Sequence, residues 1–145
     1  MSPIVSRCLK SLALSVLATA VFPASASDFT FAPLFDSGAF TYHWNVNIGS
    51  ATAQLNPTLF LARGQTYSFT VNTTLSHPFY FKTVNGAGSL NGYSNGVSVP
   101  LPVTSGTPFT FDVPLDAPET LFYNCGVHST MAGTIEVVVF RNGFD

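Results

Sequence analysis

The side chains best suited to bind a metal lie close together near the C-terminus. Residues 123–133 read YNCGVHSTMAG, so a cysteine, a histidine and a methionine are spaced as C-x-x-H-x-x-M: Cys125, His128 and Met131. Sulfur ligands favour Cu(I) and imidazole nitrogen accepts Cu(II), so a thiolate, an imidazole and a thioether together suit a redox-active copper ion. The spacing therefore predicts a metal site in a loop between two strands.

A second histidine is needed to complete a plane of two imidazoles and one thiolate with a weak axial methionine. His77, in the segment SHPFYF, is the natural upstream supplier. His43 alternates with polar residues on its predicted strand, so we expect it to be solvated. If His43 also bound metal, one cysteine and three histidines would form a zinc site, but Met131 would then have no role. The predicted ligands are His77, Cys125, His128 and Met131.

The N-terminus predicts export. Basic residues within the first ten positions precede a short apolar run at 11–22, and a small-residue Ala24-Ser25-Ala26 pattern follows. This order is that of a cleaved secretory signal peptide. The run is too short for a membrane-spanning helix, which needs about 20 residues. We expect cleavage after Ala26, which leaves residues 27–145 as one domain in the periplasm or outside the cell, with no membrane span.

The cysteine count of the exported domain also points to a metal. The sequence has two cysteines, of which Cys8 would leave with the signal peptide and Cys125 would remain alone. A lone cysteine in an oxidising compartment is an inert buried thiol, half of an intermolecular disulfide or a metal ligand. The histidine and methionine that follow Cys125 favour the third use.

The remaining sequence predicts short strands. Residues 39–48, 67–71 and 109–113 alternate, with aromatic or aliphatic side chains on one face. Further aromatic or β-branched runs lie at 58–63, 79–84, 96–101, 119–124 and 133–140. Turn dipeptides such as Asn56-Pro57 separate them, and the stretch 85–95 is the expected long loop. About eight strands with such turns predict an all-β sandwich.

The pattern Tyr-x-Cys-x-x-His-x-x-Met-x-Gly at 123–133, with a histidine upstream, resembles the cupredoxins, the family of type 1 blue copper proteins. The short gap between His128 and Met131 is most similar to the amicyanin branch. The resemblance covers most of the exported domain and implies a Greek-key β-sandwich that binds one copper through His77, Cys125, His128 and Met131. It implies a one-electron carrier rather than an enzyme, with His128 nearest the surface as the port for electrons.

Pro78 departs from the family pattern. Members of the plastocyanin and amicyanin type have asparagine after the first histidine; its side chain ties the two ligand loops together and its backbone N–H donates to the copper-bound sulfur. Proline has no N–H. Because hydrogen bonds around a ligand tune a metal centre, we expect a reduction potential on the low side for the family.

Charge limits the partners. The chain has five basic and seven acidic residues, and loss of the signal peptide leaves three basic residues and a net charge of −4. A nucleic-acid binder needs a basic footprint, so that class is excluded. We expect a redox partner with a basic docking patch and association that weakens with salt. The alternatives are a copper carrier without an electron-transfer role, a copper enzyme of the nitrite-reducing kind, and a sandwich that has lost its metal.

Overall fold

The computed structural model describes residues 28–139 as an all-β domain, so the predicted signal peptide at 1–26 and residues 140–145 lie outside the described residues. The described residues form nine strands: β1 (Phe29–Asp36), β2 (Thr41–Ile48), β3 (Gln54–Leu55), β4 (Leu59–Ala62), β5 (Thr66–Val71), β6 (Phe79–Lys82), β7 (Phe109–Asp112), β8 (Thr120–Cys125) and β9 (Ala132–Val138). Within this range no helix is long and apolar enough to cross a membrane.

The strands form two sheets. The first has the order β3-β2-β1-β5-β7 and the second the order β4-β9-β8-β6. Neighbouring strands are antiparallel except for β1 with β5 and β4 with β9, which are parallel. The predicted all-β sandwich is confirmed.

Aromatic side chains fill the space between the two sheets. Phe31 of β1 meets Phe79 of β6 with ring centroids 5.1 Å apart, and Phe69 of β5 meets Phe81 of β6 at 5.2 Å. Both pairs are edge-on, the geometry that aromatic quadrupoles prefer, and each contributes about 0.5–1.5 kcal/mol beyond the area it buries. The core therefore locks β6, which leads out of one ligand-bearing loop, against the opposite sheet.

Two segments differ from the sequence expectation. Residues 96–101 form no strand and pair only through an isolated bridge of Val97 with Phe111. Pro100 within the segment and Pro102 just after it cannot donate to a ladder, so the segment stays irregular. The short strand β3 carries no alternation that sequence reasoning could have used.

The strand β1 was also not predicted, and it contains Pro33. Its parallel pairing with β5 covers only Phe29 to Phe31, and the Phe31 carbonyl, on the β5 side, accepts from Asn72. Pro33 is two residues further on, so its nitrogen faces the same side after β5 has ended. No ladder hydrogen bond is lost there, which explains how a proline is tolerated in an inner strand.

Candidate metal centre

His77, Cys125 and His128 meet at one end of the second sheet. Cys125 is the last residue of β8 and pairs with Phe79, the first residue of β6. His77 lies in the loop just before β6, and His128 lies in the turn just after β8. Their ligand atoms all lie within 4.8 Å of one another. Among residues 28–139 this is the one such group of three or more His, Cys, Asp or Glu side chains.

Both imidazoles present Nδ1 to the same sulfur atom. The Sγ atom of Cys125 lies 3.9 Å from Nδ1 of His77 and 3.7 Å from Nδ1 of His128. With the bond lengths known for zinc, about 2.3 Å to sulfur and about 2.1 Å to nitrogen, an angle of 120° separates the donors by about 3.8 Å. The spacing therefore fits a metal ion bound in a plane by one thiolate and two imidazoles.

Met131 lies in the same turn and is joined to Cys125 through the backbone. The Cys125 N–H donates to the Met131 carbonyl at 2.8 Å, and the Met131 N–H donates to the His128 carbonyl at 3.2 Å. Both sulfur side chains are fully buried. The turn thus closes on itself and keeps the thiol and the thioether inside the protein, at the end of the sandwich where the imidazoles lie.

The environment of His77 favours metal over protons. Burial of its ring and, second, the nearby charge of His128 lower the pKa of His77. The two imidazole centroids are 4.8 Å apart. A lowered pKa keeps the ring neutral, which is the form that binds a metal ion.

The sulfur atom accepts hydrogen bonds from the turn that follows it. The backbone N–H of Val127 donates to Sγ of Cys125 at 3.4 Å, and that of His128 donates at 3.5 Å. Pro78 has no N–H to donate to the sulfur. The N–H groups of Val127 and His128 supply hydrogen bonds in place of the missing one. The structure thus weakens the reason for expecting a low reduction potential, while the potential itself stays a prediction.

Pro78 joins the two ligand loops in a different way. Its carbonyl accepts a hydrogen bond from the Gly126 N–H at 2.8 Å. A Cβ atom at Gly126 would lie 2.7 Å from the Tyr80 ring and 3.0 Å from Cγ of Pro78, so only glycine permits this approach. A backbone hydrogen bond therefore makes the tie for which the resemblance led us to expect an asparagine side chain.

Tyr42 is a residue of the site that the sequence did not reveal. Its ring centroid lies 4.6 Å from that of His77 and 4.6 Å from that of His128. The hydroxyl of Thr130 donates to the Tyr42 carbonyl at 2.9 Å and so joins the ligand turn to β2. The alternation of β2 indicated an apolar face for Tyr42 but gave no sign of a contact with the imidazoles.

Asn56 is a second unforeseen support, since the sequence identified it only as a turn residue. Its Oδ1 accepts from the Trp44 N–H at 2.8 Å, and its Nδ2 donates to the Thr130 carbonyl at 2.9 Å. The same Nδ2 lies 2.9 Å from Nδ1 of His43. The expectation that His43 is solvated is thus not met, because it is half-buried and hydrogen-bonded. It is not a member of the donor cluster.

No family model matches the chain, and no curated protein matches it. Among solved structures, rusticyanin from Thiobacillus ferrooxidans is 21% identical, with 76% of this chain and 75% of that chain covered and a TM-score of 0.47. A variant of rusticyanin is 18% identical over 81% and 80% of the two chains, with a TM-score of 0.49. A multicopper oxidase from the hyperthermophile Aquifex aeolicus is 16% identical over 81% of this chain and 28% of its own, with a TM-score of 0.46.

The case for copper rests on the donor atoms of this chain. A two-sheet sandwich with a His-Cys-His cluster at one end and a buried methionine in the same turn has the arrangement of the cupredoxins, which confirms the resemblance at that level. The donor set fits one type 1 copper ion. Similarity to the short-loop amicyanin branch stays a prediction.

Proposed function

We propose that the protein is an exported one-electron carrier and that His77, Cys125, His128 and Met131 would hold one type 1 copper ion. The observation that carries this proposal is the placement of two Nδ1 atoms 3.7 and 3.9 Å from one sulfur atom. Bound copper would supply a Cu(II)/Cu(I) couple, because the sulfur and nitrogen donors suit both oxidation states.

Hydrogen bonds within the protein fix the segments that carry these donors. The His77 N–H donates to the Thr74 carbonyl at 3.0 Å, and the Thr73 hydroxyl donates to the His77 carbonyl at 2.5 Å. Cys125 is fixed by its pairing with Phe79 in the sheet. Donors that are fixed in this way move little when the charge on the metal changes. This rigidity supports electron transfer as the role.

The surface around His128 supports its role as the electron port. His128 is half-buried, and its neighbour Val127 is 56% exposed. Phe35 is 47% exposed and lies 5.0 Å, between ring centroids, from Tyr42. Exposed apolar groups beside a site are typical of interaction surfaces. We propose that the redox partner docks here.

The net charge of −4 expected for residues 27–145 favours a partner with a basic patch. A small cationic oxidant should therefore oxidise the reduced protein faster than an anionic oxidant of similar driving force. The cationic rate should fall as salt is added, because screening weakens the attraction. Stopped-flow rates that are independent of ionic strength would contradict the charge steering.

Two rival functions are less well supported. A copper carrier without a redox role would release its ion to another protein, yet Cys125 and Met131 are fully buried. An enzyme with a second, catalytic copper would need further histidines. Within the described residues, the histidine left over is His43, which is engaged by Asn56.

Export is proposed from the sequence alone. The N-terminal segment has the three-part layout of a signal peptide, and we propose cleavage after Ala26. Mass spectrometry of the exported protein should show a chain that begins at Ser27. A mass that includes Met1 would contradict the proposal.

The experiment that tests the function is a visible absorption spectrum of residues 27–145 with one equivalent of Cu(II). We expect an intense thiolate-to-copper band that is lost in Cys125→Ser. The matched control is His43→Gln, which removes a histidine outside the donor cluster and should keep the band. A colourless protein that binds only Cu(I) would contradict the electron carrier and support copper transport instead.

A further inference from the structure

Lys82 is a buried cation on the outer side of β6. Its side chain is 1% exposed, and Nζ lies 2.5 Å from the Gly86 carbonyl oxygen, 2.9 Å from that of Gly88 and 3.4 Å from that of Ala87. An ammonium group has three N–H donors and no acceptor, so three carbonyl groups match it. A buried charge is costly unless it is hydrogen-bonded. Residues 86–88 therefore fold around the ammonium group.

Burial lowers the pKa of Lys82. The three carbonyl oxygens around Nζ only accept hydrogen bonds, so they favour the charged form, which has three N–H donors. Neither the chemistry of the ligand set nor the packing of the sandwich requires a cation at this position.

The loop around Lys82 also contacts the ligand turn. The Gly88 N–H donates to the Gly126 carbonyl at 2.8 Å. The Gly126 carbonyl and the Val127 N–H belong to one planar peptide unit and point in opposite directions. That same Val127 N–H donates to the sulfur of Cys125 at 3.4 Å. A change in the position or polarisation of the Gly126 carbonyl therefore also changes the hydrogen bond that the Val127 N–H donates to the sulfur.

A continuous line of dipoles results. The ammonium group faces the Ala87 carbonyl, which shares a peptide unit with the Gly88 N–H, and that N–H binds the peptide unit of residues 126 and 127. Both peptide units have their carbonyl towards Lys82 and their N–H towards the sulfur. Hydrogen bonds in such a chain polarise one another. The positive charge of Lys82 thus strengthens the N–H group that reaches Cys125.

We propose that Lys82 is a positioning residue for the thiolate of Cys125, acting through two aligned peptide units, 87–88 and 126–127. The inference rests on the proposed copper site. A stronger N–H bond to the thiolate withdraws electron density from sulfur and so favours Cu(I). Lys82 therefore raises the reduction potential, in the direction opposite to the effect expected from Pro78.

The test compares two ways of disturbing the same loop. Lys82→Met removes the charge but keeps an unbranched side chain, and Lys82→Gln is a second neutral variant that still donates to a carbonyl group. Lys82→Arg keeps the charge. The matched control is Asn85→Ala, because the Asn85 Oδ1 accepts from Nδ2 of Asn124 at 2.7 Å and so anchors the loop without a charge.

The first measurement is amide hydrogen exchange by NMR on the metal-free protein, which needs no copper. We expect exchange of the Gly88 and Val127 amides to become at least about tenfold faster in Lys82→Met or Lys82→Gln, since loss of about 1.4 kcal/mol of local protection gives that factor. An unchanged rate at Val127 in both neutral variants would overturn the proposal. Because this readout is independent of copper, absence of the visible band would contradict only the proposed function.

The second measurement is the reduction potential of the copper-loaded protein. The neutral variants should shift the Cu(I)/Cu(II) equilibrium at least threefold towards Cu(II), a fall of about 30 mV for one electron. Asn85→Ala and Lys82→Arg should stay near the parent value. A fall in Asn85→Ala equal to that in Lys82→Met would show that loop packing alone is responsible and would overturn the electrostatic role.

Discussion

The two halves of the ligand turn are supported in different ways. The first half, Cys125 and Gly126, is held by backbone groups: the Gly126 N–H donates to Pro78 and the Gly126 carbonyl accepts from Gly88. The second half, which ends at Met131, also has backbone bonds within the turn, but side chains join it to the rest of the protein, because Asn56 binds the Thr130 carbonyl and the Thr130 hydroxyl binds β2. Main-chain groups thus join the first half to neighbouring segments, and individual side chains join the second half to them.

The two kinds of support control two different properties of the site, the reduction potential and the stability of the donor positions. Backbone hydrogen bonds converge on the sulfur atom, so they control the electronic state of the thiolate and through it the reduction potential. Side-chain hydrogen bonds join the turn to β2 and to the turn before β4, so they control whether the imidazole and thioether donors stay in place. Substitutions on the side-chain half should therefore cost stability, and substitutions on the backbone half should change the potential.

The largest expected effect is that of Gly133→Ala, in β9 directly after the side-chain half of the turn. A Cβ atom at Gly133 would lie 2.1 Å from the hydroxyl oxygen of Tyr123, which donates to the Pro57 carbonyl beside Asn56 at 2.5 Å. The ring of Tyr123 is fully buried and must shift, so overpacking and a lost hydrogen bond should together cost about 4 kcal/mol. Denaturant unfolding of the metal-free protein measures the loss.

The matched control for that substitution is Gly92→Ala, where the nearest atom to an added Cβ is the Ser89 carbonyl oxygen at 3.8 Å. It should change the free energy of unfolding by no more than about 0.5 kcal/mol. Equal losses of unfolding free energy in Gly133→Ala and Gly92→Ala would show that Tyr123 does not support the turn at Asn56 and Pro57.

A smaller effect is expected for Asn56→Asp. The change keeps an oxygen that accepts from the Trp44 N–H but removes the NH₂ group that donates to the Thr130 carbonyl. The lost hydrogen bond, together with the carboxylate oxygen now placed against the Thr130 carbonyl oxygen, should cost about 2 kcal/mol. Loss of copper to a chelator should also become faster, since the turn is loosened.

The control for Asn56→Asp is Asn47→Asp, which removes a donor to the Ala51 carbonyl far from the ligands in sequence and in the strand. It should leave copper retention unchanged. If both variants released copper at the parent rate, Asn56 would support the fold but not the site.

The effect of Tyr42→Leu should be smaller again. The substitution removes the ring that lies 4.6 Å from each imidazole centroid and keeps an apolar side chain of moderate size. Loss of the two imidazole contacts and of the ring contact with Phe35 should cost about 1 kcal/mol, measured by thermal or denaturant unfolding of the metal-free protein. Tyr42→Phe keeps the ring and should resemble the parent. A loss in Tyr42→Phe as large as in Tyr42→Leu would show that the ring contacts do not matter.

The donor cluster and most strands could be predicted because each depends on local spacing. Cys125, His128 and Met131 lie within one turn, and alternation of side chains marks strands such as β2 and β5. His77 is distant in sequence, but the chemistry of the set requires a second imidazole, and only two histidines were available outside the turn.

The residues that support the ligand turn could not be predicted from local spacing. Asn56 and Thr130 are 74 positions apart, and nothing in either residue type identifies the other as its partner. The link from Gly88 to Gly126 uses only backbone groups, which every residue type except proline carries in the same form. Nothing in the sequence marks Lys82 as buried, because its burial follows from the folding of the loop at 86–88 over β6.

The smallest expected effect on stability, and the most informative for the backbone half, is that of Pro78→Ala. The substitution leaves the carbonyl that accepts from Gly126 but supplies an N–H group beside the ligand turn. Loss of proline should cost at most about 1 kcal/mol through the unfolded state. If the new N–H reaches the thiolate, the reduction potential should rise, as it should fall in Lys82→Met. A lower potential in Pro78→Ala would contradict the view that hydrogen bonds at this sulfur favour Cu(I), and with it the assignment of the backbone half as the part that sets the potential.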